Sequence, residues 1–312
     1  MSDLARAHDA VNLGQGFPDG NGPADVRRAA AAALDEHSNQ YPPMMGLPVL
    51  RQAVAAHDRR FYGLDIDPTS EVMVTSGATE ALAACLLGSL NPGDEVVVFE
   101  PLYDSYVPII ELAGAVPRYV RLAPPAWELD PDQLRVAFSD KTRVVLLNSP
   151  MNPSGKVFSA AELDAIAALT VEHDAIAICD EVYEHLTFDD ARHIPLMTRH
   201  GMRERCVRIG SAGKTFSLTG WKVGYVSGPA ELLAPMARAH QFLTFTTPPN
   251  LQHGVAYGLA KGDDYFEELR ASMQTRRDLL LAGLEQVGFR VASCQGTYFL
   301  NADYSPLEPE LG

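Results

Sequence analysis

Lysine is scarce in this chain. Only Lys141, Lys156, Lys214, Lys222 and Lys261 occur, and arginine outnumbers them four to one. Lys and Arg together number 25 against 40 Asp and Glu, a formal charge of 25 − 40 = −15. No Lys/Arg run is present, which argues against an extended nucleic-acid surface. Four cysteines occur, Cys85, Cys179, Cys206 and Cys294, none in a Cys-x-x-Cys pair. Their spacing suits no zinc site, and no metal is expected. Cys85 and Cys179 lie in apolar runs and read as buried thiols, for which a reducing cytoplasm is the simplest compartment. Residues 1–10 have no apolar core of the signal-peptide kind. No apolar run approaches the ~20 residues of a membrane helix.

Short β-type runs are present instead, alternating with helical patterns. Seven strands are expected: Glu71–Thr75, Asp94–Glu100, Val116–Arg121, Arg143–Asn148, Ala175–Cys179, Cys206–Gly210 and Lys222–Ser227. Helical stretches such as Ala78–Leu90 and Ser159–His173 lie between them, the second opening on the capping-box pattern Ser159-x-x-Glu162. This alternation predicts an α/β fold, with a mostly parallel seven-stranded sheet sandwiched by helices. Asp263–Val287 reads as one long helix with Arg276, Arg277 and Asp278 on its polar side. Strand-like pieces follow at Arg290–Ser293 and Tyr298–Asp303. They are too little to close a core alone, so Phe289, Val291, Tyr298 and Leu300 are expected to be poorly covered. The division expected is 1–25, an N-terminal segment of a small domain; 26–262, the large domain; and 263–312, a long helix with an incomplete C-terminal small domain.

Ligands of such sheets bind beyond the carboxyl ends of the strands. Polar and glycine residues gather there. Lys214 and Lys222 lie in Ser211-Ala-Gly-Lys-Thr-Phe-Ser-Leu-Thr-Gly-Trp-Lys222. They read either as solvated loop lysines or as an amine kept where arginine, which forms no imine, would not serve. Asp180 opens Asp-Glu-Val-Tyr183 after an apolar strand, as a helix cap or as a buried carboxylate. Asn148-Ser-Pro-Met-Asn152-Pro-Ser-Gly155 is at least a turn. In Ser76-Gly77-Ala78-Thr79 a glycine precedes a helix start, which suits a phosphate or a plain tight turn. Tyr103 follows a strand, where aromatics commonly only pack. No G-x-G-x-x-G or P-loop occurs. The Ser-x-x-Lys of penicillin-binding enzymes lacks its companion motifs here.

Taken in chain order, these motifs resemble those of the class I, fold-type I aminotransferases that use pyridoxal 5'-phosphate. The resemblance runs from about Val11 to Asp303. Gln-Gly-Phe-Pro-Asp, Asn-Gln-Tyr, Asp-Glu-Val-Tyr-Glu-His and Gly-Trp-Lys point to the kynurenine, glutamine or methionine and the succinyldiaminopimelate subgroup. It implies Lys214 as the Schiff-base lysine and proton shuttle, Asp180 against the pyridine nitrogen, and Tyr183 and Asn152 on the ring hydroxyl. It also implies Gly77, Ala78, Thr79, Ser211 and Lys222 around the phosphate, and Tyr103 stacked on the ring. Gly16 and Asn152 would meet substrate. Tyr41 would reach the phosphate of a neighbouring subunit, making a homodimer with a shared site. The reaction implied moves an amino group from an L-amino acid to a 2-oxo acid. β-Elimination from cysteine conjugates, or cofactor binding without catalysis, are the alternatives. Met151 stands where the family usually has Asn, and no arginine here matches the family's clamp for the substrate carboxylate.

Overall fold

The computed structural model describes residues 2–14, 16, 18 and 20–307. Seven strands form one sheet: β1 Val72–Thr75, β2 Glu95–Glu100, β3 Val116–Arg121, β4 Thr142–Asn148, β5 Ile176–Asp180, β6 Cys206–Ser211 and β7 Gly224–Ser227. Their order is β1-β7-β6-β5-β4-β2-β3. Four neighbouring pairs run parallel, and only β7 is reversed, pairing antiparallel with both β1 and β6. The expected α/β architecture holds, and each expected strand exists to within a residue or two.

β1, β4, β5 and β6 are nearly continuous apolar runs because both faces of the sheet are covered. One apolar layer contains Leu50, Val54, Val97, Phe99 and Leu147, and the other Met73, Leu82, Val98, Leu146 and Ile209. The helix Gly77–Ser89 lies in the second layer against the helix Ala230–Leu243. Their approach is close enough that a Cβ on Gly88 would stand 2.7 Å from Met236 Cα. The helix Ala160–Glu172 carries the full capping box, with the Ser159 and Glu162 side chains each bonded to the other's backbone N–H. Among the described residues, no helix is long and apolar enough to cross a membrane.

The sheet brings five strand ends to one edge. Asn148 pairs with Asp180, and Gly224 stands between Thr75 and Ser211. Two departures from the sequence reading shape that edge. β7 begins at Gly224 rather than Lys222, because Lys222 takes a left-handed conformation (φ 52°) that ends the turn Thr219–Trp221. The late hairpin is only Arg290–Val291 with Ala302–Asp303. Residues 294–299 instead fold against the segment after β5, through Phe188 N to Gln295 O (2.8 Å) and Thr297 N to Leu186 O (2.9 Å). Phe289, Val291, Tyr298 and Leu300 are half-buried. Arg277 is not on the polar face of its helix. Its guanidinium packs on the Phe188 ring at 5.0 Å, donates to Cys294 O and pairs with Asp189.

Candidate active site

The carboxyl edge of the sheet encloses a cavity of about 210 Å³. Ten sequence-identified residues line it: Gly77, Ala78, Thr79, Tyr103, Asn152, Asp180, Tyr183, Ser211, Lys214 and Lys222. Gly16 and Tyr41 are not in its lining. Gly16 is pressed against Phe299, where a Cβ would come within 2.2 Å of the ring. Gln15, Phe17 and Asp19 of the same loop lie outside the described residues. Tyr41 is 84% exposed and packs edge-on against Phe245 at 5.5 Å.

One end of the cavity suits an anion. The helix Gly77–Ser89 begins there, and its first N–H groups have no intrahelical acceptor. Gly77 has φ +80°, which glycine adopts without strain. A Cβ on it would lie 3.3 Å from Lys222 Cε and 3.5 Å from Lys222 Nζ. Backbone donors and an ammonium therefore converge on one point. Ser211 caps the short helix Ala212–Thr215 by accepting from Gly213 N at 3.2 Å. Ser76 N is already held by Glu80 Oε2 at 2.9 Å.

Asp180 supplies a buried carboxylate to the same cavity. Burial pushes its carboxyl above the usual carboxylate range. The Tyr106 hydroxyl, the Val182 N–H and the Lys214 charge pull the other way. Tyr106 Oη donates to Asp180 Oδ2 at 2.7 Å, and Val182 N to Oδ1 at 3.4 Å. Asn148 Nδ2 donates to the Asp180 carbonyl at 2.8 Å, while its Oδ1 accepts from Asn152 N at 2.6 Å. One amide thus fixes two lining residues. A bound cation or protonated ring nitrogen would further offset the burial of Asp180.

Lys214 enters on the helix directly after β6. Its Nζ donates to Tyr298 Oη at 2.9 Å and lies 5.5 Å from the ring centroids of both Tyr183 and Tyr298. Burial and the neighbouring Tyr298 hold the Tyr183 hydroxyl well above its ordinary range, so it stays a proton donor at neutral pH. The sequence reading missed Tyr106 and Tyr298. Tyr106 lies in the quoted Glu100–Tyr106 segment but is one aromatic among several. Tyr298 reaches the cavity only through the fold of 294–299 over a chain separation of 84 residues. An aldehyde-bearing phosphate with a basic ring nitrogen fits this donor set: amine, buried carboxylate, and an anion cradle that a side chain on Gly77 would fill.

The comparisons agree with that fit. The model of the family Aminotransferase class I and II matches residues 8–311. A probable N-succinyldiaminopimelate aminotransferase of Mycobacterium tuberculosis is 50% identical, covering 98% of this chain and 78% of the relative. Escherichia coli methionine aminotransferase is 40% identical, with 98% and 79% covered. The solved N-succinyldiaminopimelate aminotransferase from M. tuberculosis superposes with a TM-score of 0.97 at 50% identity, covering 99% of this chain and 81% of that one.

Proposed function

We propose residue roles for this chain, which belongs to the aminotransferase class I and II family and is therefore a pyridoxal-phosphate-dependent enzyme that moves an amino group between an amino acid and a 2-oxo acid. When bound, pyridoxal phosphate supplies an aldehyde for the amino group and an electron sink for the bond broken at the substrate α-carbon. Lys214 Nζ would hold the cofactor's aldehyde and would carry the proton to and from the substrate α-carbon. The Asp180 carboxylate would hold the ring nitrogen in its protonated form. The first-turn N–H groups at Gly77, Ala78 and Thr79, with Ser211 and Lys222, bind the phosphate. Tyr183 and Asn152 bond the ring hydroxyl, and Tyr103 covers the ring face. Asn152 and Gly16 contact substrate, the latter through its backbone.

One observation carries this reading. The Lys214 amine shares a single cavity with the Asp180 carboxylate and with the Gly77–Lys222 anion cradle. The amino donor proposed is of the succinyldiaminopimelate or methionine kind, supported by the names of the relatives. A homodimer with a shared site is proposed from the resemblance around Tyr41. The apolar surface of Tyr41, Phe242 and Phe245 supports it, since large exposed apolar patches mark interaction sites. A cytoplasmic location is proposed from the four free thiols, of which Cys179 and Cys206 lie with Sγ atoms 3.4 Å apart.

The test is the visible spectrum of the purified protein with pyridoxal phosphate. A band should appear, be missing in Lys214→Ala, and bleach when amino donors are added. A band that survives Lys214→Ala refutes the assignment of that lysine. A Lys214-dependent band that ignores every amino acid refutes the transfer role proposed for this cavity.

A further inference from the structure

A second cluster of titratable side chains lies outside the cavity. The helix Pro48–Tyr62 contributes His57, Asp58 and Tyr62. The segment after β5 contributes Glu181, Glu184 and His185, and β6 contributes Arg208. Arg208 bonds Asp58 at 2.6 Å, Glu181 at 2.5 Å and Glu184 at 3.0 Å. All four side chains are buried. Three carboxylates against one guanidinium leave two negative charges with no fixed cation, although the His193 imidazole stands 2.9 Å from Glu181 Oε2 and the Ser227 hydroxyl donates to Asp58 Oδ2 at 2.8 Å. An uncompensated buried charge costs several kcal/mol, so something must cover them.

Part of the cluster has the form of a ligand set. His57 Nε2 and His185 Nε2 share a hydrogen bond at 2.8 Å, which an ion held between them would replace. Glu184 Oε1 is 4.0 Å from His185 Nε2, and one ligand atom from each of the three residues lies within 4.8 Å of the others. Glu184 Oε2 is engaged by Tyr62 Oη (2.6 Å) and by Arg208, which orients the carboxylate. His57 Nδ1 is buried without a hydrogen-bond partner, and Asp58 Oδ1 lies 3.8 Å from it. An imidazole that ligates through one nitrogen while its other N–H turns to a carboxylate is the common outer arrangement of metal-bound histidine. The rings of Phe61 and Phe266, with centroids 4.8 and 4.4 Å from that of His185, wall the group with apolar surface.

We propose that His57, Glu184 and His185 bind one divalent transition-metal cation of the zinc class. Two imidazole nitrogens and one carboxylate oxygen suit that class, whereas magnesium and calcium want oxygen throughout. A doubly charged ion covers both charges. Tetrahedral bonds of about 2.0–2.1 Å set ligand atoms roughly 3.3 Å apart, so the two imidazoles part by about half an ångström and the carboxylate closes in. The fourth position falls to water beside His185, the one member that is not fully buried. Bound there, the ion ties the helix Pro48–Tyr62 to the segment that directly follows Asp180. Its role is to brace the strand end behind the cavity.

The experiment uses the full chain, stripped with a chelator and then titrated with Co²⁺ or Zn²⁺. Metal per chain is counted after gel filtration, and the cobalt visible spectrum is recorded. One equivalent should be retained, with the intense bands of four-coordinate cobalt. His57→Gln and His185→Gln should each lose it. His253→Gln should keep it, although His253 and His37 form a stacked surface pair at 3.9 Å that could collect adventitious metal. A parent chain that retains less than a tenth of an equivalent overturns the proposal, whether or not the variants fold. So does an equivalent that is lost in His253→Gln instead. The metal count needs no pyridoxal phosphate, so failure of the cofactor reading leaves it interpretable.

Discussion

Tyr106→Phe removes one hydroxyl from a buried pair and changes almost no volume. Tyr106 is 2% exposed and Asp180 5%. The hydroxyl is the strongest of the influences that oppose the effect of burial on Asp180. A hydrogen bond to a charged group contributes about 1.5–3 kcal/mol. Unfolding entropy of roughly 2.1 cal/mol/K per residue gives about 0.65 kcal/mol/K for this chain, so Tm should fall by about 2–5 °C at pH 7. The pH dependence has a definite sign. Burial leaves the Asp180 pKa above its ordinary 3.8. Stability linked to it is therefore fully present below that value and is lost as pH rises through the folded pKa. Deleting the hydroxyl raises the folded pKa further. The gap between variant and parent should thus be widest at neutral pH and narrow as the solution is acidified. Thermal unfolding of the cofactor-free protein across pH measures this, with Tyr103→Phe as the control. Tyr103 touches Tyr106 edge-on at 5.5 Å and should shift Tm by much less. If the two variants unfold together at pH 7, Tyr106 does not hold Asp180.

Gly77→Ala should cost about 1–2 kcal/mol for a left-handed residue with a Cβ. It should also weaken pyridoxal phosphate, because the new methyl would stand 3.3 Å from Lys222 Cε, and an absorption titration reads this. Unchanged cofactor affinity in a destabilised variant would make Gly77 a turn residue only. Arg208→Met strands three buried carboxylates and should lower unfolding stability by about 3–5 kcal/mol in urea titration. A loss below about 1 kcal/mol would mean that the carboxylates are neutralised without Arg208.

The sheet was legible because its strands obey a local rule. Runs buried on both faces must be apolar throughout, and the residue that follows each run is then at the ligand edge. Asp180 and Lys214 were read in this way, from position first and from chemistry second. What escaped the reading depends on pairs far apart in sequence. Tyr298 reads as strand because Tyr298–Asp303 has β-type composition. The structure instead spends the backbone groups of 295–297 on Gly155 and on the Leu186–Phe188 segment, and so delivers the tyrosine to Lys214. Sequence alone puts Arg277 on a polar helix face. A guanidinium can lie on an aromatic ring while meeting Asp189, and periodicity is blind to that. The cluster around Arg208 is the extreme case. Its arginine sits in the middle of a strand, where alternation sends it to the same layer as Leu50 and Val54. In an isolated strand such a residue looks like a solvent-facing position. It is buried because partners such as Asp58, 150 residues away along the chain, meet it there. The same long-range closure that makes the cluster illegible also makes it informative. A local motif can persist as a turn or a cap, but three carboxylates converge on one buried guanidinium only if the charges are balanced there.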